Sequence, residues 1–148
     1  MILIAHRGNT NGPDPLNENR PETIIKCINK EYHVEIDVRL INNELFLGHD
    51  NPDYKVEIDF LLKYKEYLWI HCKNLEALTC LTPLGLNTFS HDKDDYVLTS
   101  KGIIWAYPGK EVNNNCICVM PEWEGDVKEF NKECFGVCSD YIELIKDL

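Results

Sequence analysis

In the first fifty residues, reactive polar side chains lie at the ends of two short apolar runs and within one alternating segment between them. Residues 1–5 lead into His6-Arg7-Gly8, and the run Leu45-Phe46-Leu47 leads into Gly48-His49-Asp50. Between them, residues 33–39 alternate apolar and charged positions. Short apolar runs closed by glycine or polar segments are typical of buried strands. The sequence therefore predicts neighbouring strands that carry two histidines, an arginine and two carboxylates, and this limits the possible folds more than any other feature.

The two carboxylates of the middle run share one face. Glu35 and Asp37 are two residues apart, and alternate side chains of a strand leave the same side. The bland alternative is a solvated strand face, which is common for alternating charges. If the face is buried, two negative charges about 7 Å apart need a cation to be tolerated. A hard divalent ion such as Mg²⁺ or Ca²⁺ is the expected partner.

The order of these motifs resembles that of a known enzyme family. His6-Arg7-Gly8, Pro21-Glu22-Thr23, Glu35-x-Asp37 and His49-Asp50 are similar, in order and approximate spacing, to the motifs of the glycerophosphodiester phosphodiesterase family. The sicariid spider sphingomyelinase D toxins belong to the same phospholipase C-like superfamily of phosphodiesterase barrels. Residues 99–109 and 136–141 resemble a group of short barrel proteins related to that family.

The resemblance implies a metal-dependent phosphodiesterase that acts on a small glycerophosphodiester-like substrate. Glu35 and Asp37 would hold one Mg²⁺ or Ca²⁺ ion, and Arg7 would bind the phosphate. His6 and His49 would act as general acid and general base, in either order, because a pKa near ~6.5 suits both roles at neutral pH.

The next strand departs from the family pattern. Where the family carries Glu-x-Lys, this chain reads His71-Cys72-Lys73. Lys73 keeps the expected position near the phosphate. His71 either replaces the carboxylate as a third metal ligand or is a polar core residue beside the site. A relative of low activity that binds a phosphorylated metabolite or a glycan is therefore the alternative function.

Further candidates follow later strands. Four residues in or after the later predicted strands are secondary candidates, because those strands would end at the site. They are Glu122, His91, Asp92 and Trp105. Glu122 would offer a compensating carboxylate. His91 and Asp92 lie in a polar loop that is otherwise a solvated turn, and Trp105 belongs either to the core or to the pocket.

The spacing of apolar residues predicts an α/β fold. Helices are expected at residues 21–31, 56–67, 73–81 and 125–132 and from residue 140, between strands that end at the site. At 148 residues the chain falls well short of the ~250 typical of a full (β/α)₈ barrel. The prediction is one domain at residues 1–148, a reduced or distorted (β/α) TIM-type barrel with mostly parallel strands, which lacks outer helices in its second half.

Composition excludes several partners. The net charge of −10 argues against nucleic acid, because affinity for a phosphate backbone comes from lysine and arginine. No apolar run approaches the ~20 residues that span a bilayer, and Met1 leads directly into the first strand without a secretory signal. A cytoplasmic location is therefore expected.

The cysteines and the strand edges lead to two further expectations. Seven is an odd number of cysteines, which favours reduced, mostly buried thiols over disulfides or a zinc site. A trimmed barrel would expose strand edges, which favours a homodimer.

Overall fold

Strands dominate the structure, a computed structural model that describes residues 1–130 and 132–148. The strands are β1 (Ile2–His6), β2 (His33–Ile41), β3 (Glu44–Leu47), β4 (Tyr54–Val56), β5 (Leu68–Cys72), β6 (Thr88–Phe89), β7 (Tyr96–Leu98), β8 (Ile104–Ala106), β9 (Cys116–Val119) and β10 (Gly136–Ser139). The α-helices are α1 (Pro21–Ile28), α2 (Ile58–Lys63), α3 (Leu75–Leu81) and α4 (Ile142–Lys146). Short 3₁₀ turns are found at Thr82–Leu84, Pro121–Trp123 and Val127–Glu129.

The strands form one mixed sheet that curls into a half-barrel. Its order is β4-β3-β2-β1-β10-β9-β8-β7, with β5 also paired to β2 and β6 to β5. β2 is the branch point, because its first part pairs in parallel with β1 and β5 while its last part pairs antiparallel with β3. β7 runs antiparallel to β8.

The predicted TIM-type barrel is wrong. The antiparallel strands β3, β4 and β7 interrupt the strand-helix alternation that such a barrel needs. The helices contain 8, 6, 7 and 5 residues, so they do not form an outer ring around the sheet. After α3 the strands follow one another through loops and short turns, and the chain is used for strands rather than crossover helices.

Several predicted helices are shorter than expected or missing. The range 56–67 reduces to α2 because Val56 belongs to β4, where it pairs with Leu45. The range 73–81 reduces to α3, which begins after Asn74 because the side chain of Asn74 accepts a hydrogen bond from the Ala77 amide. The helix expected from residue 140 begins at Ile142.

The helix predicted at residues 125–132 is wrong. This range contains a 3₁₀ turn at Val127–Glu129, and residue 131 lies outside the described residues. The Asp126 carboxylate accepts a hydrogen bond from the Lys128 amide at 2.9 Å. This bond caps the start of the 3₁₀ turn, which ends at Phe130, where the backbone is extended.

Two apolar clusters support the two faces of the sheet. The larger cluster packs the helices against the face that carries Val34, Ile36 and Val38 of β2. A smaller cluster lies inside the curl and consists of Ile4, Trp69, Phe89, Trp105, Ile117 and Cys138. Glu35 and Asp37 alternate with the valine and isoleucine side chains of β2, so they point into the curl. The sheet therefore turns its carboxylates inward above an apolar layer.

Two expectations from composition concern membrane-spanning helices and the state of the cysteines. None of the helices described is long and apolar enough to cross a membrane. All seven cysteines are unpaired thiols; Cys80 is exposed, Cys118 is half-buried and the other five are buried. The prediction that most of the thiols are buried is confirmed.

Candidate active site

A cavity of about 200 Å³ opens inside the curl of the sheet. The register of the parallel strands sets His6 beside Glu35 and Asp37 beside His71. One side of the cavity, the charged wall, is lined by His6, Arg7, Glu35, Asp37, His49 and His71. The apolar part of the lining, here called the apolar wall, consists of Val97, Trp105, Tyr107, Pro108, Val119, Met120 and Trp123.

Three side chains of the charged wall form a group able to hold a metal ion. Glu35, Asp37 and His71 each offer one ligand atom, and these atoms all lie within 4.8 Å of one another. His71 Nδ1 is 3.2 Å from Asp37 Oδ1 and 3.9 Å from Glu35 Oε1. Ligands bound about 2.1 Å from one ion are separated by roughly 3 Å or more, so the spacing fits. Two carboxylates and an imidazole suit a divalent cation.

Asp37 is fully buried and held in its ionised form. Burial raises the pKa of this carboxyl, but its contacts with His49 and His71 and the positive charge of Arg7 outweigh burial and hold the pKa well below its usual range. Asn19 fixes the residue on a second side, because its amide Nδ2 donates to Asp37 Oδ2 and its Oδ1 accepts from the Asp37 amide, both at 3.0 Å. The carboxylate is therefore rigid and negatively charged.

Glu35 is equally buried but poorly compensated. Burial and the negative charge of Asp37 raise its pKa, against the opposing effects of His6, His71 and Arg7. Its carboxylate accepts one hydrogen bond, from the backbone amide of Arg7 at 3.2 Å. Two neighbouring carboxyl groups whose pKa values move in opposite directions are typical of functional sites. A cation beside Glu35 would relieve the cost of its charge.

Arg7 and Lys73 bring positive charge to the same wall. Arg7 donates from Nη1 to Glu18 at 3.2 Å and from Nη2 to His49 Nδ1 at 2.7 Å. Its Nε lies 3.3 Å from Asp37 Oδ2 without a hydrogen bond. Lys73 Nζ lies 3.8 Å from Asp37 Oδ1. Arg7 lines the cavity and would meet an entering phosphate directly, whereas Lys73 does not line it and acts through Asp37.

His6 is oriented by a carboxylate that the motifs did not reveal. Its Nδ1 donates to Asp140 Oδ1 at 2.8 Å, which leaves Nε2 as the nitrogen available for proton transfer. Burial lowers the pKa of His6, but the hydrogen bond to Asp140 and the charges of Glu35 and Asp140 outweigh it and raise the pKa above its ordinary value. His6 therefore favours its protonated form.

His49 is bound differently. Because a guanidinium can only donate, the 2.7 Å contact with Arg7 makes His49 Nδ1 an acceptor and places the proton of the neutral ring on Nε2. In that state Nδ1 does not donate to Asp37 Oδ1, which lies 3.3 Å away. The lone pair of Nδ1 becomes available as a base only when Arg7 moves from it.

The structure brings some of the secondary candidates to the cavity and leaves others outside. His91 lines it and stacks on His71; burial and the nearby charges of His71 and Lys73 lower the pKa of His91 to about 4. Trp105 both lines the cavity and packs against Phe89, so it serves core and pocket together.

Glu122 and Asp92 do not line this cavity. The Glu122 carboxylate accepts hydrogen bonds from Ser139 Oγ and from the Asp140 amide, so it supports Asp140 instead of replacing a metal ligand. Asp92 is exposed, and Asp94 of the same loop lines the cavity in its place.

Sequence reasoning missed Asp140 and Asn19 as site residues. Asp140 follows the buried strand β10 directly, in the same way that His6 ends β1, so the strand-end signal was present. Asn19 lies in a polar loop with a left-handed backbone (φ +59°), and its contact with Asp37 spans 18 residues. No local pattern indicates that contact.

Compared with models of protein families, with curated proteins and with solved structures, the chain gives no significant match.

Proposed function

We propose that this protein is a metal-dependent phosphodiesterase that cleaves a small glycerophosphodiester-like substrate. The observation that carries the proposal is one cavity lined by the Glu35, Asp37 and His71 group together with His6 and His49. The motif resemblance to glycerophosphodiester phosphodiesterases supports the same reaction class.

Glu35, Asp37 and His71 would hold one divalent ion, Mg²⁺ or Ca²⁺ by the preference of carboxylates for hard cations. When bound, the ion supplies a positive centre that polarises a nonbridging phosphate oxygen. Arg7 orients the phosphate, and the charges of Arg7 and Lys73 stabilise the negative charge that grows on it as the nucleophile attacks.

His6 acts as the general acid in this proposal. Its raised pKa favours the protonated form, and Asp140 holds the ring so that Nε2 delivers the proton to the leaving oxygen. His49 accepts the proton of the attacking hydroxyl at Nδ1 after Arg7 turns toward the phosphate. A new P–O bond forms, the bond to the leaving alcohol breaks, and a phosphomonoester or a cyclic phosphate results.

The Arg7 contact also favours a second candidate function. In the structure the Arg7 guanidinium occupies the lone pair that His49 needs as a base. If Arg7 keeps that position when phosphate is bound, the protein binds a phosphorylated metabolite or glycan with little or no turnover.

One experiment separates the two functions. The purified protein, His6→Ala, His49→Ala and the control His33→Gln, a β2 histidine outside this cavity, are incubated with glycerophosphodiesters and bis(p-nitrophenyl) phosphate in Mg²⁺, Ca²⁺, Mn²⁺ or EDTA. The enzyme proposal predicts turnover that EDTA abolishes and that each alanine variant lowers by about 10²-fold or more. Turnover in EDTA, or unchanged turnover in both alanine variants, would contradict it. Phosphate binding without turnover would support the second function.

Partner and location belong to the same proposal. The net charge of −10 supports a small phosphodiester over nucleic acid. Exposed Tyr96 and Leu98 on the strand β7 support a homodimer, which sedimentation velocity tests. A cytoplasmic location is tested by fractionation of the producing cell.

A further inference from the structure

The rings of His71, Phe89 and His91 lie nearly parallel to one another. The ring of His71 makes an angle of 5° with Phe89 and 11° with His91, at centroid distances of 5.3 Å and 4.5 Å. Phe89 and His91 are 6.0 Å apart. The three centroids form a triangle, so His71 is not sandwiched between the other two. His91 makes the closer contact.

The sheet register builds this arrangement. β5 and β6 pair in parallel with His71 opposite Phe89. His91 lies two residues beyond Phe89, after β6 has ended, and its ring stacks on His71. From the loop that follows β6, His91 reaches His71 and lines the same cavity.

We propose that His91 is a positioning residue for the metal group, because its ring holds the plane of His71 so that Nδ1 faces Glu35 and Asp37. The inference rests on the metal site of the proposed function. The terminal torsion of a histidine is broad, so the side chain alone does not fix the direction of Nδ1. Groups that orient a metal-ligating histidine contribute strongly to metal affinity.

A ligand role for His91 is the competing interpretation. His91 is not part of the group whose ligand atoms lie within 4.8 Å of one another. A phenylalanine in its place keeps a flat ring and removes both nitrogens. The two roles therefore predict opposite results for this one substitution.

Mn²⁺ binding to the full chain tests the inference, measured by electron paramagnetic resonance and by calorimetry. The variants are His91→Ala, His91→Gln, His91→Phe and the control Asp92→Ala, an exposed neighbour outside this cavity. Both ringless variants should weaken Mn²⁺ binding by about 10-fold. His91→Phe and Asp92→Ala should bind like the unsubstituted protein. Thermal melting checks that each variant folds. If His91→Ala does not fold, His91→Gln serves as the ringless variant.

Unchanged binding in the ringless variants would overturn the inference. Equal weakening in His91→Phe and His91→Ala would also overturn it and make His91 a ligand. Phosphodiesterase turnover is measured on the same samples. Mn²⁺ binding without turnover would contradict the proposed reaction and leave the positioning role intact, whereas a chain that binds no Mn²⁺ would overturn both.

Discussion

The two walls of the cavity are built in different ways. Each buried group of the charged wall is tied to others, as Asp37 is to Asn19, Arg7 and His71. The apolar wall presents ring surface with few polar constraints, and Trp123 and Tyr107 are 61% and 41% exposed. We infer that the charged wall fixes the reacting phosphate, while the apolar wall contacts the rest of the substrate with a looser fit.

Loss of the Asp37 carboxylate should have the largest effect, because it should lower both the stability of the charged wall and its affinity for metal. Asp37→Asn removes a proposed metal ligand and the buried carboxylate beside Lys73 and Arg7, so that Arg7 keeps only its pair with Glu18. Breaking a buried ion pair on one side costs about 3–5 kcal/mol. We expect a drop of this size in the free energy of unfolding, measured in urea, together with loss of Mn²⁺ binding. The exposed Asp59→Asn is the matched control; if Asp37→Asn retains full metal affinity, the charged wall does not hold the ion.

Asp140→Asn should lower turnover less and move its pH dependence. Asp140 raises the pKa of His6, so its removal lowers that pKa. Activity that needs protonated His6 declines as the pH rises through this pKa, and the alkaline limb of the kcat/KM profile should therefore move to lower pH. Asp126→Asn should leave the limb in place. A limb that moves upward would exclude His6 as the acid.

Glu35→Gln should change stability in opposite directions with and without metal. The folded-state pKa of Glu35 is raised, so stability of the metal-free protein is lost as the pH rises from the ordinary pKa of the carboxyl to the raised folded-state pKa, and the loss remains above it. In EDTA at pH 7, the variant should be more stable in thermal melts than the unsubstituted protein. On addition of Mn²⁺, the variant should gain less stability than the unsubstituted protein does. Greater destabilisation in EDTA would show that the Glu35 charge is already compensated.

Trp123→Ala should have the smallest effect. In the proposed enzyme Trp123 would contact the substrate only as part of the apolar wall, so we expect an unchanged kcat and a KM raised by less than roughly tenfold. Tyr96→Ala removes an exposed ring outside this cavity and should leave both constants unchanged. A large fall in kcat for Trp123→Ala would show that the apolar wall takes part in the chemistry.

The difference between the walls also explains what the sequence could predict. His6, Glu35, Asp37 and His71 are placed by strand alternation and by strand ends, which are local patterns. Their meeting in one cavity follows from the parallel register of β1, β2 and β5. The role of His71 stayed open because its function depends on contacts across strands.

The overall fold was harder to predict because it depends on long-range pairing. One local signal was missed: Asn42 and Asn43 have φ of +50° and +64°, and they form the two-residue turn of the β2-β3 hairpin. Asparagine favours such turns, which join antiparallel strands. Of the apolar wall, the sequence analysis had named Trp105 as a secondary candidate, whereas Trp123 reaches the cavity from a 3₁₀ turn far along the chain.

Anomalous X-ray scattering from crystals soaked in Mn²⁺ tests the central claim most directly. The account predicts one strong peak bounded by Glu35, Asp37 and His71, which Asp37→Asn crystals lack. A peak elsewhere, or none between these three side chains in the unsubstituted protein, would contradict the metal site and the reaction proposed from it.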